Sequence, residues 1–428
     1  MLVLFTAELA SFFTQQTYTN IIIDPNQNSL LRINFNVTVF DVTCEYAMID
    51  VVDVLGTRSD NITKNINKWN VDASGIRRGY EGRNVNQRDI EHDSHHNLEE
   101  LLRNGQHAPN IDQDHFEESL KRNQYTFVNF YAPWCSWCQR LEPVWEALAE
   151  KVDADGLQNI KVVKVDCVAN AALCQANKIQ AFPTLKMFKG LEQLPPDYRS
   201  DRTVEKMFEF IKDKVLVDGE LQKMPVDEQM KHKESILKSS DMHPGCMLQG
   251  YLLVNRVPGN FHIEARSVNH KMNPKMSNLS HEVHHMSFGP VLSKRAGRYL
   301  SSIKKEIFDL QSTHPMDGTV YVSKQTHEAY HHYIDIVSTS LEVGRYRGSN
   351  EILAYQMVQS SQIMHYQDDD IPEARFSYDL SPMAVDIEVK GKRWYQFVTS
   401  TCALIGGVFT VSGLLAGFLG LLFKQKKI

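Results

Sequence analysis

The chain has 428 residues, of which 42% are hydrophobic and 23% are charged, and its formal net charge is -6. This composition excludes an intrinsically disordered protein, and a chain without a large basic block is a poor partner for nucleic acid. Its length allows two domains of ordinary size.

The N-terminus is apolar over residues 1–13, apart from Thr6, Glu8 and Ser11. This stretch is too short to span a bilayer. It also lacks the charged segment that precedes the apolar segment of a signal peptide. We interpret it as the remnant of an N-terminal transmembrane helix whose start is missing, which would place both ends of the intact protein in the cytosol. A poor signal peptide is the alternative.

Alternating apolar residues predict β-strands in residues 14–85 and again in residues 244–393. A polar stretch at residues 86–107 reads as a linker, and residues 221–243 read as a second polar connector. The region between these two polar stretches instead predicts a mixture of strands and helices. The sequence therefore predicts a β domain that is interrupted by an insertion.

The insertion contains Cys135-Ser-Trp-Cys138, directly after the apolar run 125–131 and before a helical apolar stripe. A helix N-terminus stabilises the thiolate of the first cysteine, and the second cysteine can displace a client bound to the first. The alternative is half of a zinc site, which needs a second ligand pair at comparable spacing. Cys167 and Cys174 are too far apart to form one. Redox chemistry is therefore the better interpretation.

The remainder of the insertion predicts an α/β layer fold. Apolar runs at residues 160–165 and 181–188 read as strands, and residues 170–177 and 203–215 read as helices.

With Phe130-Tyr-Ala-Pro-Trp134 before the first cysteine, residues 108–220 resemble the thioredoxin-like catalytic domains of protein disulfide isomerases. The resemblance implies that Cys135 is the nucleophile, that Cys138 is the resolving thiol, and that Pro183 is a cis proline shaping the substrate groove. The resemblance also implies that Arg202 corresponds to the mobile arginine that tunes the acidity of the second cysteine in that family. A solvated arginine at a helix start is the alternative for Arg202.

Two departures from this family pattern bear on acidity. Ser136-Trp137 replaces the usual Gly-His, and a neutral Trp137 cannot lower a thiol pKa as a charged histidine does. Asn129 stands where the family has a buried carboxylic acid, and an amide cannot accept a proton. We therefore expect a less acidic Cys135 and weaker oxidase turnover than in a typical isomerase.

The flanking regions resemble the lumenal domain of ERGIC-type cargo receptors. The motifs that carry this resemblance are Asp50-Val-Val-Asp-Val-Leu-Gly-Thr, Val254-Asn-Arg-Val-Pro-Gly-Asn-Phe-His-Ile-Glu-Ala, Leu279-Ser-His-Glu-Val, His314-Pro-Met-Asp-Gly and Tyr378-Asp-Leu-Ser-Pro-Met. A single thioredoxin domain inserted in such a scaffold is the arrangement of the plant and algal protein disulfide isomerase C subfamily.

A C-terminal transmembrane helix is predicted at residues 394–423, because residues 397–423 carry no charge and are long enough to cross a bilayer. Trp394 and Tyr395 suit a membrane interface, and the lysines that follow indicate a cytosolic tail at residues 424–428. Lys424 and Lys426 resemble a dilysine retrieval signal, which a vesicle coat would bind. A plain stop-transfer cluster is the alternative.

The remaining cysteines suit an oxidising lumen. Cys167 and Cys174 either pair or remain buried thiols, and Cys44 and Cys246 are candidates for a bridge across the insertion. Three glycosylation sequons begin at Asn36, Asn61 and Asn278.

Histidines raise the question of a metal site. His281 and His285 have the i, i+4 spacing of one helix face, but no known zinc motif accompanies them. We interpret these residues, together with His262 and His284, as structural or surface histidines, and expect no metal and no cofactor.

The sequence thus predicts an α/β thioredoxin-like domain inserted in a mainly-β lumenal domain, with a C-terminal transmembrane helix. We expect a thiol-disulfide oxidoreductase of the endoplasmic reticulum and ER–Golgi intermediate membrane that acts on secretory clients with cysteines, with Trp134 and Trp137 offering them apolar surface. The alternative is a cargo receptor that uses its cysteines for capture rather than turnover. The sequence also leaves open whether the protein forms an oligomer through its β domain.

Overall fold

The computed structural model describes residues 2–13, 16–25, 28–53, 56, 62–84, 87–93, 97–103, 105–157, 159–221, 225, 230–231, 244–301, 308–343, 350–367, 370–390 and 392–424. Before the insertion lie α1 (Leu2–Phe13), β1 (Gln16–Ile23), β2 (Leu30–Val39), β3 (Ala47–Asp53), β4 (Ile66–Val71) and β5 (Arg77–Arg83).

The central region follows in chain order. It contains α2 (Leu98–Arg103), α3 (Gln113–Arg122), β6 (Tyr125–Tyr131), α4 (Ser136–Ala154), β7 (Ile160–Asp166), α5 (Ala171–Ala176), β8 (Ala181–Phe182), β9 (Thr184–Lys189), β10 (Glu192–Tyr198) and α6 (Val204–Leu221).

The C-terminal region returns to strands. It contains β11 (Gly245–Asn255), β12 (Gly259–Ala265), β13 (Lys271–Met272), β14 (His281–Phe288), α7 (Lys294–Leu300), β15 (Thr319–Tyr321), β16 (Glu328–Val343), β17 (Asn350–His365), β18 (Glu373–Leu380), β19 (Met383–Lys390) and α8 (Trp394–Lys424).

The two flanking regions together form a β sandwich. One sheet runs β15-β14-β2-β11-β4-β5, and the other runs β1-β19-β16-β18-β12-β3 with β17 paired to β16. Alternate residues of β2 point inward, so that Phe35 stacks against Phe261 of the opposite sheet with ring centroids 5.8 Å apart. Neither flanking region can close this core alone, because each sheet contains strands from both.

The inserted unit is built on a four-stranded sheet ordered β10-β9-β6-β7. Because side chains alternate along β6, Phe127 packs on one face against Trp145 of α4, with centroids 4.9 Å apart, while Phe130 packs on the other face near Phe116 of α3. Helices cover both faces, as an α/β layer fold requires. The C-terminal end of β6 thereby leads straight into the cysteine motif.

The apolar helices at the two ends of the chain lie side by side. Phe12 of α1 contacts Phe397 of α8 at 4.8 Å between ring centroids, and Lys392 pairs with Glu8 at 2.9 Å. Residues Trp394–Gly420 are long and apolar enough to cross a membrane. The strands β1 and β19, which pair with each other, connect these helices to the β sandwich.

Candidate active site

Cys135 and Cys138 lie where β6 passes into α4, and both are free thiols. Cys135 is the N-cap of α4, and its sulfur accepts a hydrogen bond from the Cys138 N–H at 3.2 Å. A cap position suits a thiolate, because the first N–H groups of a helix have no partners within the helix. The strand-to-helix transition therefore places the first sulfur in a field that favours negative charge.

The acidities of the two thiols diverge. A hydrogen bond from the Cys138 thiol lowers the pKa of Cys135 to about 7 against the opposing effect of burial, helped by the N–H groups of Cys138 and Trp137 and by the charge of Arg202. Burial, with the charge of Cys135, raises the pKa of Cys138 well above its usual value. The pKa of Cys135 thus falls below its usual value although Trp137 is neutral, because the cap position and the charge of Arg202 favour the thiolate. The expectation that Cys135 is less acidic than in a typical isomerase stays a prediction.

The proline predicted to shape the groove follows β8. The Phe182–Pro183 bond is cis, and the Cys135 thiol donates to the Phe182 carbonyl oxygen at 3.5 Å. Trp134 packs edge-on against Phe182 at 5.9 Å between centroids and remains 51% exposed. Of the two tryptophans expected to offer client surface, Trp134 does present an open face.

Arg202 is buried, so a solvated arginine at a helix start is the wrong interpretation. Only 2% of its surface is exposed. Its guanidinium donates to the Asn269 carbonyl oxygen at 2.9 Å and lies 3.4 Å from His92 Nε2. Its charge also lowers the pKa of His92, after the larger effect of burial, to about 4.

Residues 87–93, which we call the strap, were predicted to belong to a linker but pack beside the cysteines. His92 forms a parallel bridge with Arg202 and stacks on Trp137 at 5.3 Å between ring centroids. Asn269 fixes the strap through its side chain, accepting from the Ile90 N–H at 2.9 Å and donating to the Arg88 carbonyl oxygen at 2.7 Å. Trp137 is therefore half-covered rather than free for clients.

The β sandwich also contacts the edge next to Pro183. Strand β13 pairs with β8, so that Lys271 opposes Phe182 and Met272 opposes Ala181. With these contacts in place, Cys135 has no exposed surface and Cys138 is 4% exposed. Sequence reasoning missed both His92 and Asn269, because their partners lie far away in the sequence: His92 contacts Trp137 and Arg202, and Asn269 contacts the strap and Arg202.

A second polar group lies behind the cysteines. Asn129 is 3% exposed and its Oδ1 has no hydrogen-bond partner. It lines a cavity of about 30 Å³ together with Cys138, Glu142 and Lys164. Lys164 is 3.3 Å from Glu142 and 2.9 Å from Glu146. Carboxylates are thus close to the position where the sequence lacks one.

The other cysteines are joined in the structure. Cys44 and Cys246 form a disulfide within the β sandwich, 202 residues apart in sequence. Cys167 and Cys174 form a second one beside α5. Cys402 is a free thiol on α8.

Of the predicted glycosylation and retrieval residues, the structure describes Asn36, Asn278 and Lys424. Asn36 lies on the central strand β2 with its Oδ1 enclosed, which leaves little room for a glycan. The Oδ1 of Asn278 accepts from the Ser280 N–H at 2.8 Å. Asn61 and Lys426 lie outside the described residues, and Lys424 ends α8. The sequons and the retrieval signal stay predictions.

The histidines do not share a helix. His281 and His285 lie on β14, so the i, i+4 argument does not apply to them; His281 is buried against His332, with 3.0 Å between their Nε2 atoms.

One histidine lies near carboxylates. Asp50, His262 and Glu264 bring ligand atoms within 4.8 Å of one another. Arg266 lies 3.5 Å from Asp50 and 3.4 Å from Glu264, and its single positive charge offsets part of their negative charge. The absence of a bound metal stays a prediction.

Comparisons with known proteins agree with this architecture. The sequence matches the thioredoxin family over residues 108–213, the endoplasmic reticulum vesicle transporter family over residues 220–416, and the Endoplasmic Reticulum-Golgi Intermediate Compartment (ERGIC) family over residues 1–60.

Full-length relatives are known from plants. The chain is 32% identical to protein disulfide-isomerase 5-4 of Arabidopsis thaliana, over 98% of this chain and 89% of that protein. It is 30% identical to protein disulfide isomerase-like 5-4 of Oryza sativa subsp. japonica, over 97% and 88% respectively. It is also similar to the crystal structure of Erv41p, at 13% identity and a TM-score of 0.37, over 86% of this chain and 99% of that chain.

The chain therefore belongs to the family of the plant disulfide isomerases 5-4, with a thioredoxin domain set in an ERGIC-type scaffold, and is a membrane-anchored thiol-disulfide oxidoreductase of the endoplasmic reticulum and ER–Golgi intermediate membrane.

Proposed function

We propose that this protein catalyses disulfide isomerisation in secretory clients, with Cys135 as nucleophile and Cys138 as resolving thiol. The observation that carries the proposal is the divergent acidity of the pair beside Pro183. At pH 7, a thiol with a pKa of about 7 is about half thiolate, whereas Cys138 stays protonated. Only one of the two sulfurs is therefore ready to attack, which gives the reaction a defined order.

The Cys135 thiolate attacks one sulfur of a client disulfide, forming a mixed disulfide while the other client sulfur leaves and takes a proton. In isomerisation, a second client thiol attacks the mixed disulfide, forms a new client disulfide and returns Cys135 as a thiolate. Electrons balance within the client, so no external oxidant or reductant is consumed. If no client thiol attacks, Cys138 releases the client by forming the Cys135–Cys138 disulfide.

The test measures reactivation of a disulfide-scrambled substrate by the full chain in detergent, against its Cys135→Ser variant. Turnover that is lost only in the variant supports catalysis. A Cys138→Ala variant should accumulate mixed disulfides with clients, which non-reducing electrophoresis detects. Equal turnover in wild type and Cys135→Ser would refute the assignment of the nucleophile.

A cargo receptor that captures clients through Cys135 is the second candidate, and Asn129 favours it. An amide beside Cys138 cannot accept the proton that this thiol must lose before it releases the client. Capture without turnover in the same assay would select this candidate.

Further proposals follow from the sequence. We propose that Lys424 and Lys426 bind a vesicle coat and that the β sandwich mediates any oligomer. Asn36, Asn61 and Asn278 are the candidate glycosylation sites. The domain boundaries, with the inserted unit at residues 108–220, are likewise proposed from the sequence.

A further inference from the structure

The inserted unit meets the β sandwich through the face that carries its own cysteines. Strand β8 ends one residue before Pro183, and its partner β13 belongs to the sandwich. Extended peptides commonly bind proteins by adding a strand to an open edge. In this chain, the edge beside the nucleophile is filled by the chain's own residues Lys271–Met272.

Three side chains hold this arrangement, and we call them the latch residues: Glu45, Gln180 and Asn269. Gln180 donates to the Asp41 carbonyl oxygen at 2.7 Å, and its Oε1 accepts from the Thr43 N–H at 3.3 Å.

The other two latch residues contact Arg199 of the inserted unit and the strap. Glu45 pairs with Arg199 at 2.9 Å, and Asn269 fixes the strap as described above. Each contact joins the inserted unit or the strap to the β sandwich, so together they oppose separation of the two.

The consequence for Cys135 is steric. Attack on a disulfide requires the second sulfur to reach the nucleophile, yet Cys135 has no exposed surface and its thiol is enclosed between α4 and Phe182. We infer that the β sandwich holds the active site closed, and that Lys271–Met272 must leave the Ala181–Phe182 edge before a client reaches Cys135. This inference rests on the proposed function and adds its regulation.

The experiment measures alkylation of Cys135 by iodoacetamide in the reduced full chain in detergent, resolved by mass spectrometry so that Cys138 and Cys402 are followed separately. The test variant combines Glu45→Ala, Gln180→Ala and Asn269→Ala. Removing a contact worth one hydrogen bond raises the open fraction roughly fivefold, so the triple variant should react about a hundredfold faster.

Glu118→Ala is the matched control, because it removes a solvent-exposed ion pair with Arg122 on α3. It should react at the wild-type rate. Hydrogen exchange across β6 must be unchanged in each variant, so that faster alkylation reports access rather than unfolding. If the triple variant unfolds, Asn269→Ala alone should still react about fivefold faster.

Two outcomes separate this inference from the proposed function. Equal alkylation rates in the wild type, the triple variant and the control would overturn closure, even if the wild type turns over clients. Faster alkylation of the triple variant without any client turnover would uphold closure and count against the proposed function.

A second inference comes from the cavity behind Cys138. For Cys138 to attack, its proton must leave, and burial holds that proton tightly. Asn129 lines the cavity but cannot accept a proton. At about 30 Å³, the cavity has room for a water molecule, which the free Oδ1 of Asn129 would also bind.

Glu142 is the carboxylate that is best placed to accept the Cys138 proton. It follows Cys138 by four residues on α4 and therefore lies on the same helix face, lining the same cavity. Its side chain is 44% exposed, so a proton that it receives can pass to solvent. Glu146 is less suitable, because it is enclosed and already accepts from two backbone N–H groups and Lys164.

We propose that Glu142 accepts the Cys138 proton through a water molecule during resolution. The Cys138 sulfur then bonds to the Cys135 sulfur, the bond between Cys135 and the client breaks, and the client leaves as a thiolate that takes a proton from water. In this step the Cys138 sulfur is oxidised and the client sulfur is reduced, while the Cys135 sulfur passes from one disulfide to another. This deepens the proposed function, but its test does not need a client protein.

The test follows release of glutathione from a Cys135–glutathione mixed disulfide, prepared with glutathione disulfide. Glu142→Gln should slow this release about a hundredfold, the lower end of general base effects, and most strongly near neutral pH. Alkylation of Cys135 should be unaffected. Glu118→Gln is the matched control and should release glutathione at the wild-type rate.

Rescue provides the sharper criterion. Adding Asn129→Glu to Glu142→Gln restores a carboxylate to the same cavity and should recover most of the lost rate. Release by Glu142→Gln at the wild-type rate across the pH range would overturn the proposal. A slow variant that Asn129→Glu does not rescue would also overturn it, since the loss would then be structural.

Discussion

The buried ion pair between Glu146 and Lys164 offers a prediction that is independent of catalysis. Glu146 is 1% exposed, lies 2.9 Å from Lys164 Nζ, and accepts from the N–H groups of His107 and Ala108 at 3.1 and 3.0 Å. Burial alone would lower the pKa of Lys164, but the hydrogen bond and charge of Glu146 raise it. Glu146→Gln should therefore destabilise the inserted unit.

The magnitude follows from what the substitution leaves behind. Breaking a buried ion pair costs about 3–5 kcal/mol, because the remaining charge stays buried. Lys164 keeps its contact with the half-exposed Glu142 at 3.3 Å, which offsets less than about 1 kcal/mol. We therefore expect a loss of about 2–4 kcal/mol. Glu118→Gln removes the exposed pair with Arg122 and should cost no more than about 0.5 kcal/mol.

Hydrogen exchange by mass spectrometry is the suitable assay, because it reports opening of one unit within a protein of several parts. The slowest amides of β6 and β7 should exchange about 30-fold faster or more in Glu146→Gln, and the strands of the β sandwich should be unchanged. A loss below about 1 kcal/mol would refute the reasoning, since it would mean that water already reaches Lys164.

Three further predictions concern the thiol, the disulfide and a close backbone contact. The alkylation rate of Cys135 should rise with pH around a midpoint of about 7, because its lowered pKa leaves the thiolate populated above that value; a midpoint near 9 would contradict the cap argument. Replacing Cys44 and Cys246 by serine should destabilise the β sandwich by about 5 kcal/mol in urea denaturation, given their separation of 202 residues, and an unchanged midpoint would exclude this. Gly250→Ala would place its Cβ 2.2 Å from the Asn65 carbonyl oxygen, so it should lower stability by about 1–3 kcal/mol, whereas a neutral effect would show that the strands can separate there.

Local patterns predicted much of the fold. The apolar run of β6, the cap position of Cys135 and the stripe of α4 are neighbours in sequence, so their geometry follows from strand and helix periodicity. The full length of the hairpin of β16 and β17 does not follow from alternating apolar residues. Its polar residues break the alternation, and their burial is compensated by bonds across the hairpin, such as His332 to Ser361 at 2.8 Å.

The sequence by itself determined the chemistry of this protein, because a thiol pair at a helix start needs only local geometry. It also determined the C-terminal apolar helix, whose length and composition suffice. Only the tertiary structure decided that Arg202 is buried, that the strap partly covers Trp137, and that a strand of the β sandwich pairs with the edge beside the buried Cys135. Burial depends on surfaces brought together from distant parts of the chain, and no local pattern records which surfaces will meet.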